Sequence, residues 1–195
     1  MDLKPIPFGR YCILKKINKG GMAEIFLSRS TDKKVGVCVL KMLLPELAKK
    51  DNFINMFITE GKIAKLMNHP NVVQSYELGK FKDKYFIAME YIAGKDLHNV
   101  IKYYKKKNMP VPIPMALYVT RRVLEGLDYA HNLEDASGVP LNLVNRDVSP
   151  TNILLTYDGV VKLIDFGIAQ TVIGFTSQIG RIKGKICYMS PEQVR

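Results

Sequence analysis

The sequence predicts an α+β fold in two parts: a β-rich first part of five antiparallel strands with one helix, then a mainly helical second part. Three observations carry the prediction. Short runs of alternating apolar residues, separated by polar and Gly-containing turns, follow one another up to Glu90. One stretch among them switches to helical spacing, with Phe53, Phe57, Ala64 and Met67 on one side. Beyond Gly94 the helical spacing takes over.

The elements follow in order. Tyr11 to Ile17 reads as a strand and leads into the turn Asn18-Lys19-Gly20-Gly21, and Glu24 to Arg29 resumes the extended pattern. Thr31-Asp32-Lys33-Lys34 makes a polar turn before the β-branched run Val35 to Leu44, which Pro45 closes. The helix containing Phe53 and Phe57 ends at His69-Pro70-Asn71. Two more strands are expected near Val72 to Leu78 and Tyr85 to Glu90. Gly94 marks a hinge, giving expected domains at residues 1–93 and 94–195. Pro114 suits a first helical position, and Ala116, Val119, Val123, Leu127 and Ala130 form one apolar stripe. Two short apolar segments close the pattern, Ile153 to Leu155 and Val160 to Ile164, each beside a polar cluster.

With 195 residues, 47% of them hydrophobic, the chain can bury a sizeable core and is not a disordered type. Its apolar runs are too short to cross a bilayer, and Met1-Asp2-Leu3-Lys4-Pro5 lacks the apolar stretch of a signal peptide. Cys12, Cys38 and Cys187 are odd in number and far apart, against a disulfide framework or zinc site, so a reducing cytoplasm is expected. The formal charge of +11 and the Lys102 to Lys107 stretch read first as a solvated lysine-rich surface. No base-reading motif accompanies them, so no specific nucleic-acid partner is expected.

Several residues stand out as chemistry. Lys41 shares a strand face with Val37, Val39 and Leu43, where an ammonium must snorkel out or meet a fixed anion. Glu60, three residues after Phe57 and four before Ala64, projects from the apolar side of its helix. Two such charges on neighbouring elements predict an ion pair with something to hold. Asn18-Lys19-Gly20-Gly21-Met22-Ala23 frees backbone N–H groups to face a phosphate, although a plain hairpin turn accounts for it equally well. The strongest segment is Asn145-Arg146-Asp147-Val148-Ser149-Pro150-Thr151-Asn152, followed thirteen residues after Asn152 by Asp165-Phe166-Gly167. Asn152 and Asp165 offer the hard oxygens that magnesium prefers, which leaves Asp147 to accept a hydroxyl proton.

In this order the pieces resemble the signature set of the protein kinases, from about Phe8 to Arg195. The resemblance implies a bilobal kinase fold: a β-rich lobe holding a five-stranded antiparallel sheet and the helix called C, then an incomplete helical lobe. It implies an ATP- and Mg²⁺-dependent Ser/Thr protein kinase acting on protein hydroxyls. Ile17 to Ile25 looks like the Gly-rich loop, comprising Ile17, Asn18, Lys19, Gly20, Gly21, Met22, Ala23 and Ile25. Lys41 resembles the strand lysine, Glu60 its helix-C partner and Met89 the gatekeeper. By the same resemblance the backbones of Glu90 and Ile92 bind adenine between Ile25, Val39 and Leu154. Asp147 matches the catalytic base, and Asn152 and Asp165 the metal ligands. Tyr188-Met189-Ser190-Pro191-Glu192-Gln193 is similar to the bacterial Ser/Thr kinases.

The departures also speak. Asn18 and Ala23 stand where glycines are usual, and Asn145 replaces the histidine before Arg-Asp. Ser149 replaces a lysine, while Lys185 in Gly184-Lys185 replaces a threonine; the exchange looks reciprocal, with Lys185 supplying the missing charge near Asp147. Arg146 makes Thr171, Thr176 and Ser177 candidate regulatory phosphosites. Members of this family run several helices past the Pro-Glu motif, so a fragment with an open apolar underside is expected. The alternatives are a nucleotide-binding pseudokinase or inactive module, and a small-molecule phosphotransferase of the same fold.

Overall fold

The computed structural model describes residues 4–166 and 186–194. It divides into two compact units, Met1–Asn68 with Gln74–Tyr91, and His69–Val73 with Ile92–Arg195. The candidate phosphosites Thr171, Thr176 and Ser177, together with Gly167, Gly184 and Lys185, lie outside the described residues.

The first unit contains β1 (Ile6–Phe8), β2 (Tyr11–Lys19), β3 (Ala23–Ser30), β4 (Val37–Leu43), α1 (Asp51–Leu66), β5 (Ser75–Phe81) and β6 (Lys84–Glu90). The strands form one antiparallel sheet of six, in the order β1-β2-β3-β4-β6-β5, rather than the expected five. The extra strand is β1. Pro5 and Pro7 hide it in the sequence, but proline is tolerated on an edge strand. Gly9, at φ +58°, turns β1 back onto β2 and lets Phe8 enter the core.

The sheet curls until its two edges meet. Phe8 on β1 and Phe81 on β5 pack edge to face with centroids 4.9 Å apart. Beside them Tyr11 donates to Glu77, and Arg10 Nη2 lies 2.8 Å from Glu77 Oε2. Inside the curl sit Ile13, Cys38, Leu40, Met42, Phe86 and Ala88. Burial pushes the Cys38 thiol up to about 11, so it remains protonated and packs as a small apolar group. A second cluster, Ala23, Leu43, Phe57 and Ile87, seats α1 on the sheet. Along β4 the period of two is plain: Cys38, Leu40 and Met42 are buried, while Val39 and Lys41 face the other side and are half-buried.

The fourth expected strand begins later than its apolar pattern implied. β5 starts at Ser75, and Val72 and Val73 are buried in the second unit instead. There Val72 bridges to Leu163 and Val73 N donates to Leu163 O at 2.8 Å. Apolar content alone does not say which core a pair of valines will join.

The second unit runs β7 (Gly94–Asp96), α2 (Leu97–Lys106), α3 (Ile113–His131), a 3₁₀ turn (Pro150–Asn152), β8 (Ile153–Thr156), β9 (Val161–Leu163), a second 3₁₀ turn (Ile186–Tyr188) and α4 (Pro191–Val194). β7, β8 and β9 form a small antiparallel sheet. Asp96 caps α2, its Oδ1 accepting from Asn99 N at 2.7 Å, and Lys102, Lys105 and Lys106 line the exposed side of that helix. On α3 the buried stripe is Val119, Val123, Gly126 and Ala130. The expected members Leu127 and Ala116 fall outside it, half-buried and exposed respectively. The stripe is set by what α3 packs on: a Cβ at Gly126 would meet Asn71 O and Leu163 Cδ1, both at 3.1 Å. A different side of α3 carries Ile113, Leu117 and Leu124, all exposed. Among the described residues no helix is long and apolar enough to cross a membrane.

Gly94 gives a direct test of the small sheet. A Cβ there would lie 2.0 Å from the Leu155 carbonyl oxygen, a backbone atom that cannot step aside. Gly94→Ala is therefore expected to destabilise the second unit by about 2–3 kcal/mol, read as a lower urea midpoint. An unchanged midpoint contradicts the β7–β8 pairing.

Candidate active site

The first unit holds a lysine and a glycine-containing turn. Lys41 on β4 and Glu60 on α1 form a hydrogen-bonded ion pair with side chains only 14% and 12% exposed. The helical phase that puts Glu60 beside Phe57, and the strand phase that separates Lys41 from Leu40, bring the two charges together. Gly61 follows Glu60 without a side chain, and a Cβ there would come 2.7 Å from Leu78 Cδ1, so glycine permits the close seating of α1.

The turn between β2 and β3 closes with Gly20 N donating to Ala23 O at 2.8 Å. Neither Gly20, Gly21 nor Asn18 adopts left-handed backbone. Asn18 is the penultimate residue of β2, and its Oδ1 accepts from Lys19 N at 2.8 Å. The place of the usual first glycine is thus held by ordinary strand geometry. Lys16 Nζ reaches Glu24 Oε1 at 2.5 Å across the strand pair, and Lys19 Nζ lies 3.9 Å from the same atom. Ile17 is exposed, Met22, Ile25, Val39 and Met89 are half-buried, and Ala23 is buried. Glu90 is anchored at both ends: its N donates to Gln74 O and its Oε1 accepts from Gln74 N.

The second unit carries the acidic and amide oxygens. Asn152, buried in its 3₁₀ turn, directs both contacts of its Nδ2 at Asp147, 2.9 Å from O and 2.8 Å from Oδ2. That leaves Asn152 Oδ1 as the atom available to an incoming ligand. Asn152 O accepts from Ile164 N at 3.1 Å, so the residue before Asp165 is fastened to the same turn. Phe166 is buried and Asp165 half-buried. Ile92 and Leu154 are half-buried as well. Ser149 is buried, its hydroxyl 3.1 Å from that of Thr151.

Asn145 does more than its position as a replacement residue indicates. Its Oδ1 accepts from Asp147 N at 3.0 Å, and its Nδ2 donates to Asp165 O at 3.1 Å. One buried amide therefore ties the two aspartate-bearing segments together. A carboxamide both donates and accepts, and it keeps that capacity at every physiological pH, unlike an imidazole. The arrangement fixes the Asp147 carboxylate beside the Asn152 amide and ties the Asp165 backbone to the same network, which suits receiving a proton and holding a hard cation. The sequence reading did not foresee Gln193, whose Nε2 donates to Arg146 O at 2.9 Å. No periodicity or spacing signals a contact across 47 residues.

Residues 11–195 match the protein kinase domain family. The chain belongs to the protein kinase family. It is 42% identical over 192 residues to the tyrosine-protein kinase MasK of Myxococcus xanthus, covering 97% of this chain and 30% of that one. It is 34% identical over 190 residues to the serine/threonine-protein kinase PrkC of Bacillus subtilis, covering 96% of this chain and 27% of that one. A crystal structure of the PknI kinase domain of Mycobacterium tuberculosis superposes with a TM-score of 0.68 at 29% identity, covering 84% of this chain and 61% of that one. The chain thus spans less than a third of the length of these two curated kinases. The expected resemblance to bacterial-type Ser/Thr kinases and the kinase fold both hold.

Proposed function

We propose that the kinase chain is the nucleotide-binding and catalytic core of an ATP-dependent Ser/Thr protein kinase. The observation that supports it most is the lattice in which Asn145 and Asn152 hold Asp147 and the Asp165 segment in one fixed arrangement. In this reading residues 1–93 form the small lobe and 94–195 the beginning of the larger one. Asn152 and Asp165, with their hard oxygens, would hold magnesium, which would neutralise charge on the phosphates. Lys41, held in place by Glu60, contacts the phosphates, and the Gly20–Gly21 turn covers them. The Glu90 and Ile92 backbones bind adenine, with Ile25, Val39, Met89 and Leu154 around the ring. Asp147 orients the acceptor hydroxyl and takes its proton as the new P–O bond forms and the bond to the leaving diphosphate breaks. Catalysis is positioning and charge stabilisation. Cys12, Cys38 and Cys187, odd in number and far apart in the sequence, favour a reducing cytoplasm for this domain.

The test is transfer of radiolabelled phosphate from ATP to protein by the natural full-length chain, with Asp147→Asn as control and phosphoamino-acid analysis of the product. Label on serine or threonine, lost in the control, supports the reading; label independent of Asp147 or its absence rejects it. Label on tyrosine supports a second reading. That reading has an observation of its own: Ser149 is buried and uncharged where Ser/Thr members carry a lysine, and MasK bears a tyrosine-kinase name.

Ser149 also motivates a sharper expectation. Lys185 is proposed to supply the charge that Ser149 cannot. Lys185→Ala is then expected to lose about a hundredfold or more in turnover, the scale of a lost electrostatic group. Pairing Lys185→Thr with Ser149→Lys should restore most of it. A fully active Lys185→Ala enzyme removes Lys185 from the site.

A further inference from the structure

Arg146, immediately before Asp147, is a non-glycine residue with φ +51°. Left-handed backbone is unfavourable for a residue with a Cβ and persists only where its surroundings enforce it. The surroundings here are specific. The peptide unit joining Arg146 to Asp147 has both polar atoms held: its oxygen accepts from Gln193 Nε2 at 2.9 Å, and its N–H donates to Asn145 at O, 2.6 Å, and Oδ1, 3.0 Å. A peptide plane gripped at both ends cannot rotate to relieve the residue before it. Gln193 is itself fixed. Its Oε1 accepts from Ser190 N at 3.1 Å and lies 3.4 Å from Ser190 Oγ, while its backbone N donates to Ser190 O at 2.9 Å. Only one orientation of the amide satisfies an obligate donor at Ser190 N and an obligate acceptor at Arg146 O.

We propose that Gln193 is a positioning residue for Asp147: through the Arg146 carbonyl it locks the peptide plane that aims the carboxylate, coupling the Ser190–Val194 turn to the proton acceptor. The inference rests on the proposed role of Asp147. Losing Gln193 leaves Asn145 alone to hold the plane, so Arg146 can relax to negative φ and turn Asp147 away. Nothing in this contact touches the nucleotide-binding residues, so the loss should fall on turnover and spare ATP binding.

The experiment compares the natural full-length chain with Gln193→Glu, which keeps the acceptor toward Ser190 but cannot donate to Arg146, and with Gln193→Met, which keeps only the bulk. Both should lower kcat about ten- to a hundredfold, the scale of a misplaced catalytic group, with KM for ATP and thermal midpoint little changed. Adding Arg146→Asn to Gln193→Glu should recover part of the loss relative to Arg146→Asn alone, because asparagine tolerates φ above zero. Unchanged kcat in both variants, or a fall in ATP affinity matching the fall in turnover, overturns the proposal. If either variant unfolds, the other and the Arg146→Asn pair decide; a fall in folded fraction with full kcat per folded molecule also overturns it. Absence of Asp147-dependent transfer in the unmodified chain overturns the functional reading and this inference together. Asp147-dependent transfer that ignores Gln193 overturns this inference alone.

Discussion

Asp147→Asn is expected to lower phosphoryl transfer by about a thousandfold, within the range that a positioned general base contributes, while changing the KM for ATP by less than about twofold. The geometry makes this a clean substitution. Asp147 Oδ2 accepts from Asn152 Nδ2 at 2.8 Å, and a carboxamide can present its own oxygen to the same donor. Its backbone contacts, N to Asn145 and O from Asn152, are untouched by the change. The lattice survives and only the capacity to take a proton is lost. Steady-state kinetics on the full-length chain decides it. A thousandfold fall with unaltered urea midpoint supports Asp147 as proton acceptor, whereas retained turnover assigns it a structural place only.

Lys41→Met should produce the second large effect, and here stability and activity part company. The Lys41–Glu60 pair is mostly buried, and removing one member of such a pair is destabilising by about 3 kcal/mol because a buried carboxylate loses its ammonium. Replacing both charges with apolar residues of similar volume is often close to neutral. So Lys41→Met with Glu60→Leu is expected to regain most of the stability that Lys41→Met loses. Activity should not follow. Both the single and the double variant are expected to lose about a hundredfold or more in turnover, since phosphate contact depends on the charge and not on the packing. Denaturant midpoints and turnover measured on the same preparations separate the two effects. A double variant that recovers activity together with stability would make the pair a packing feature.

The ion pair was legible in the sequence because two periodicities fix it independently. Strand alternation sets Lys41 apart from Cys38, Leu40 and Met42, and helical spacing sets Glu60 beside Phe57. The Asn145 to Asn152 string was legible for another reason: polar groups packed so densely beside short apolar strands need a shared purpose. β1 was not legible, since Pro7 argues against a strand and only its edge position makes it harmless. The true start of β5 was hidden as well, because Val72 and Val73 look the same whichever core takes them. Asn18 was legible only as a residue standing where a glycine is usual; the β2 strand continues through it to Lys19, so no left-handed backbone is needed there.

By itself the amino-acid order determined the kinase-like sequence of elements, the opposed charges of β4 and α1, and the oxygen-bearing residues at 147, 152 and 165. Those features depend on spacing within single elements, where repeat distance dictates which side chains share a face. Only the tertiary structure decided that Asn145 bridges two aspartate segments, that Gln193 holds the peptide before Asp147, and that Val72 and Val73 join the second unit. Each of these joins residues far apart along the chain, and no local period encodes a hydrogen bond between loops. Such contacts exist because a buried amide must find partners wherever the folded backbone happens to offer them.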